Sequence, residues 1–128
     1  MKTLDLVLKR KWYDMIASGE KTEEYREIKS YWIRCLCELR SVGERRPARM
    51  PSHLVIFYSE NTHLLKYHIE THDVTFKNFE AVTFHLGYAK NRPSMTFAIK
   101  EIVIDEGKEE WGALPGETYF VIKLGERL

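Results

Sequence analysis

Gly19 separates two incompatible hydrophobic periods, and that break constrains the fold more than any other feature of the chain. Before it, Leu4, Leu6 and Leu8 alternate with Asp5, Val7 and Lys9, the two-residue period of a strand with one face on a core. From Trp12 the spacing changes: Trp12, Met15 and Ile16 fall at i, i+3 and i+4, which predicts a short helix over Lys11–Ser18. A glycine at this point supplies the left-handed residue that commonly ends a helix. After it the period returns to two, with Glu24, Arg26 and Ile28 on one side of a predicted strand and Glu23, Tyr25 and Glu27 on the other.

The remaining elements are expected from the same periodicities. Trp32, Cys35, Leu36 and Leu39 recur at helical spacing, so a second helix is predicted from Tyr31 to about Arg40, capped by Ser30. The segment "SVGERRPARMPS" reads as an exposed loop, either simply solvated or gripping a phosphate backbone with its arginines. "HLVIFYS" is a continuous apolar run of strand length, and His53–Tyr58 is predicted as a buried strand. Asn61–Asn78 shows no clear period. The final third is expected to be wholly β: Phe79–Tyr88, Ser94–Asp105 and Thr118–Leu124, joined by "AKNRP" and by the longer "EGKEEWGALPG". About six mixed strands with two or three short helices predict an α+β fold whose strongly curved sheet closes, or nearly closes, into a small barrel.

A length of 128 residues suits one domain spanning 1–128, and 12% aromatic content argues for a packed core. The N-terminal "MKTLDLVLKRKW" lacks the uninterrupted apolar region of a signal peptide, and no segment approaches 18 apolar residues, so a cytoplasmic protein with no membrane partner is expected. Cys35 and Cys37, two apart, are too few for a structural zinc site and read as reduced and structural. His68 and His72 in "HIETH" have a spacing that can bind zinc from a helix, but no third ligand is near, so neither metal nor cofactor is expected. The net charge of +1 hides an asymmetry. Residues 1–50 hold 12 Lys and Arg against 8 Asp and Glu, a surplus of +4, whereas residues 51–128 hold 8 against 11, a deficit of −3. A basic half of this size is compatible with a face that meets a nucleotide or RNA.

The basic half contains "SGEKTEEYRE", where Lys21, Glu24 and Arg26 crowd the start of the predicted strand. If their heads converge, one carboxylate sits between two cations, which keeps the glutamate ionised and holds the lysine and arginine ready to donate to a phosphate or carbonyl. The alternative is a structural ion network at the helix-to-strand turn. As a site, Lys21 would act as general base or nucleophile, Glu24 would accept from an exocyclic amine or shuttle a proton, and Arg26 would steady an oxyanion or phosphate. Tyr31 is a candidate base-stacking residue, whereas Trp12 and Trp32 read as core packing.

Gly19, Lys21, Glu24 and Arg26 match the G-x-K-x-x-E-x-R pattern of the ASCH domain, and with the preceding "WYDMIAS" helix and trailing strands the chain resembles that branch of the PUA-like superfamily, in its single-domain bacterial and phage form. The resemblance implies a PUA-like barrel and RNA or a nucleoside or nucleotide as partner, with the motif lining a cleft. It also places "FHLGYAKNRPS", with Gly87, Tyr88, Asn91 and Arg92, as the opposite wall of that cleft, although a plain hairpin would look the same. Some small members are amidohydrolases acting on N4-acetylcytidine, and another type is a ribonuclease. In the amidohydrolases the motif lysine is catalytic and a threonine stands where this chain has Glu24, so Lys21 carries over as a candidate and the nucleophile does not. An RNA- or nucleotide-binding module is therefore expected ahead of a nucleoside amidohydrolase or ribonuclease.

Overall fold

A computed structural model describes residues 1–40 and 48–128. The chain divides into two compact units, one made of Met1–Tyr25 with Asn78–Leu128 and the other of Arg26–Lys77. Among the described residues there are seven strands, four α-helices and one turn of 3-10 helix. The architecture is α+β, with a mixed five-stranded sheet curled into a half-barrel and a separate two-stranded sheet.

The first unit follows the periods of the sequence closely. Strand β1 (Thr3–Leu8) buries Leu4, Leu6 and Leu8, and helix α1 (Arg10–Ala17) buries Ile16. Strand β2 (Glu23–Glu27) begins after the Gly19 turn and crosses the boundary in the chain between the two units. The five-stranded sheet runs in the order β1, β5 (Ala81–Leu86), β6 (Ser94–Glu106), β7 (Thr118–Arg127), β2. β1 and β5 are parallel, with Leu6 opposite Phe84, and β5, β6 and β7 are successive antiparallel neighbours. Parallel strands need a crossover of about a dozen residues or more, and here the crossover contains the entire second unit in its length. The β6–β7 register shifts twice, between Phe97 and Ile99 and again between Ile99 and Glu101. Irregularities of this kind bend a strand and increase its twist, which lets a strand of 13 residues curl instead of lying flat.

The second unit departs from expectation. His53–Tyr58, predicted as a buried strand, lies inside helix α3 (Ser52–Glu60). A short apolar run without alternation fits either element, and here only one face is covered: Val55 and Tyr58 are buried while Ile56 and Phe57 face solvent. The second predicted helix is also shorter than its apolar spacing suggests. Helix α2 (Ser30–Leu36) stops where Cys37 turns extended, because Cys37–Leu39 forms strand β3 paired antiparallel with β4 (Val74–Phe76). Ser30 is the first helical residue, not the cap, and no side chain caps that end. The 61–78 region supplies helix α4 (Thr62–Glu70) and β4. Tyr58 of α3 and His68 of α4 share a hydrogen bond of 2.6 Å between Oη and Nδ1. Residues 41–47, most of the arginine-rich segment predicted as a loop, lie outside the described residues. No described helix is long and apolar enough to cross a membrane.

Candidate functional site

The turn after α1 builds the site. Ser18 donates its backbone N–H to Asp14 O, and Gly19, with φ of +84°, donates to Ile16 O. Lys21 N–H then reaches back 2.9 Å to Met15 O, so the chain doubles over the helix end and brings the Lys21 side chain under α1. Its ammonium donates to Glu24 Oε1 at 2.6 Å. Both residues are buried, Lys21 at 2% exposure and Glu24 at 5%. Two rings complete the surroundings: Nζ lies 5.0 Å from the Trp12 ring centroid and 5.5 Å from that of Tyr25.

Burying two charges costs several kcal/mol each in real proteins, and the cost is offset only when geometry is close and further partners are present. The direct contact supplies the first condition. The aromatic faces supply part of the second, since a desolvated cation over a ring gains about 2 kcal/mol or more.

The connection between β6 and β7, expected only as a long loop, frames these rings. Lys108 N–H donates to Tyr25 Oη at 3.0 Å, and Tyr25 Oη donates to Glu23 Oε1 at 2.8 Å. Burial drives the Tyr25 phenol far above its ordinary range, with Glu23 pushing the same way and the Lys108 amide opposing. Tyr25 is therefore a neutral wall. A Cβ on Gly107 would stand 2.8 Å from the Tyr25 ring, and one on Gly112 would stand 3.0 Å from the Trp12 indole, so both residues allow close approach of this connection. Tyr119 packs on Tyr25 from β7 at 5.8 Å between centroids.

The other predicted residues are placed as follows. Arg26 opens the second unit, and its guanidinium lies 5.0 Å over the Trp32 ring. Tyr31 is 66% exposed and meets Trp32 edge to face at 4.8 Å. In the first unit, Tyr88 is 86% exposed and Asn91 is also exposed, while Arg92 donates to Gly87 O at 3.1 Å, tying the β5–β6 hairpin to itself. Of the three ionic heads expected to meet, Lys21 and Glu24 are in direct contact. Trp12, read from sequence as core packing, faces the lysine. Tyr25 also faces the lysine, although strand alternation assigns it to the side opposite Glu24; its place between Glu24 and Arg26 in the motif is the signal that marks it.

The chain matches no protein-family model, no curated protein and no solved structure. The site is accordingly read from its own chemistry. An ammonium held at 2.6 Å from a carboxylate has protons to donate, and it becomes a nucleophile only if Glu24 first takes one. Among the described residues, no three His, Cys, Asp or Glu side chains are grouped to hold a metal. Cys37 is buried, and desolvation pushes its thiol up to about 12, so it stays a neutral apolar group.

Proposed function

We propose that this chain is an RNA- or nucleotide-binding module of the ASCH, PUA-like type. In this reading the Lys21–Glu24 half of the motif is framework, locking the turn that leads into β2, and the aromatic and cationic residues that follow make the contacts. The observation that carries it is the platform at the start of the second unit: exposed Tyr31 stands edge-on to Trp32, whose ring also carries the Arg26 guanidinium. An exposed ring beside a cation is the arrangement that stacks a base while attracting its phosphate, and stacking contributes about 1–3 kcal/mol per base.

The hydrolase reading draws on Lys21, and the burial of that side chain speaks against it, because a catalytic group has to touch its substrate. The test is binding of short RNAs and nucleotides to the wild-type chain and to Tyr31→Ala and Arg26→Ala, followed by fluorescence anisotropy at several salt concentrations. Affinity is expected to fall about tenfold in Tyr31→Ala, and Arg26→Ala is expected to reduce the salt dependence. Unchanged affinity in both folded variants, or no binding by the wild type, would overturn the reading. Mass spectrometry of the same mixtures would detect any altered nucleoside, the outcome that would favour hydrolysis.

A further inference from the structure

The second unit holds a cavity of about 320 Å³ that no sequence motif marks. Its volume falls at the small end of the range of about 300–1,000 Å³ typical of ligand sites. Among the described residues Arg34, Arg49 and Lys77 line it, opposed by the carboxylate of Glu38, and Cys37 and Met50 supply its buried apolar wall. Among the described residues, three cations against one anion leave a surplus of two positive charges, and the neutral Cys37 thiol adds nothing to the negative side.

These cations come from three separate stretches of chain, and hydrogen bonds hold each stretch in place. Arg34, in the last turn of α2, donates from Nη2 to Ser52 Oγ at 3.2 Å. Lys77, just after β4, donates from its backbone to Leu36 O at 2.8 Å and from Nζ to Arg34 O at 2.8 Å. Arg49 follows Ala48, which exchanges both backbone hydrogen bonds with Leu39 at 2.8 and 2.9 Å. The Arg34 and Lys77 side chains are thus held before an anion arrives, which lowers the ordering cost of binding, and the backbone beside Arg49 is paired. Arg34 and Arg49 are both exposed, so the charged side of the cavity is open to solvent.

We infer that this cavity is a binding site for a phosphomonoester, the terminal phosphate of a nucleotide or of an RNA end. A phosphate monoester carries about −1.5 to −2 charge near neutrality, which matches the surplus, and its oxygens suit the fork of an arginine beside the point charge of a lysine. The apolar wall keeps water from one side and so strengthens the attraction. Tyr31 and Arg34 are three residues apart on α2, so a stacked base and a held phosphate would be one helical turn apart. This inference deepens the proposed RNA or nucleotide binding and rests on it for the identity of the ligand, but the pocket's affinity for phosphate stands separately.

The test compares one short RNA carrying either a 5′-phosphate or a 5′-hydroxyl, together with a nucleoside monophosphate and inorganic phosphate alone, all at fixed ionic strength. The phosphorylated RNA is expected to bind about tenfold tighter than its hydroxyl twin. That advantage should vanish in Arg34→Gln/Arg49→Gln, with affinity for the hydroxyl RNA kept within about twofold and the advantage retained in Tyr31→Ala. Arg49→Gln alone, at an exposed position, gives a second reading should the double variant melt early. Equal affinity for both RNAs, or an advantage that survives Arg49→Gln and the double variant, overturns the inference while leaving RNA binding intact. Capture of inorganic phosphate or the monophosphate, lost in the same variants, with no binding of the hydroxyl RNA, upholds the pocket and defeats the RNA reading instead.

Discussion

The Lys21 ammonium and the Glu24 carboxylate meet at 2.6 Å, with side-chain exposures of 1% and 7%, and the ammonium lies 5.0 Å from the Trp12 ring centroid and 5.5 Å from that of Tyr25. A buried pair of this kind differs from a surface ion pair, whose net contribution is about 0–1 kcal/mol. Its importance lies in the cost of leaving one partner alone.

Replacing only one member should therefore be severe. Lys21→Met or Glu24→Gln is expected to lower stability by about 3–5 kcal/mol, and Lys21→Met/Glu24→Leu should recover most of that loss. Denaturant unfolding measures all three; single variants within about 1 kcal/mol of wild type would show that the pair is not desolvated.

Gly19 should matter through its backbone alone. No atom stands within 4 Å of a Cβ built there, yet its φ is +84°. Gly19→Ala is expected to cost about 1–2 kcal/mol, and Gly19→Asn less, because asparagine tolerates the left-handed region. Equal losses in the two variants by thermal melting would point to a steric origin.

Gly107 should behave in the opposite way. A Cβ there would stand 2.7 Å from Ala113 Cβ and 2.8 Å from the Tyr25 ring, and its φ lies outside the left-handed region. Gly107→Ala is expected to destabilise by about 1–3 kcal/mol through overpacking and to change the Trp12 fluorescence as Tyr25 is displaced. A silent substitution would mean that the β6–β7 connection shifts freely.

Alkaline pH should unfold the protein in part through Cys37. Burial raises its thiol from an ordinary 9.0 to about 12, so the folded state keeps a proton that the unfolded chain releases. The stabilisation is complete below pH 9 and disappears as pH rises toward 12, with a slope of up to about 1.4 kcal/mol per pH unit. Tyr25 and Tyr58, also raised by burial, add the same sign above their ordinary 10.0. The pH 9 to 10 interval therefore belongs mainly to the thiol, and Cys37→Ala should flatten the stability curve there. An unchanged slope would mean that the thiolate is accommodated in the fold.

Where one face of an element was buried, its period was legible. Leu4, Leu6 and Leu8 marked β1, Trp12, Met15 and Ile16 marked α1, and Gly19 marked the turn between helix and strand. The three late strands were also read in nearly their observed positions. His53–Tyr58 is helical against its expected strand because a short apolar run carries no period that separates helix from strand. Residues 37–39 leave the expected helix although Leu36 and Leu39 keep helical spacing, because the backbone hydrogen bonds of β4, about 35 residues later, claim the chain for a strand.

Local sequence is enough for the α+β class, the helix, glycine and strand order of the first 27 residues, and the closeness of Lys21 to Glu24, because each depends on neighbours within a few positions. The burial of this pair, with the lysine near Trp12 and Tyr25, and the lining of one cavity by Arg34, Arg49 and Lys77 come from the folded chain. Burial and charge clustering are sums over residues distant in the chain, and no local period records which of them will meet.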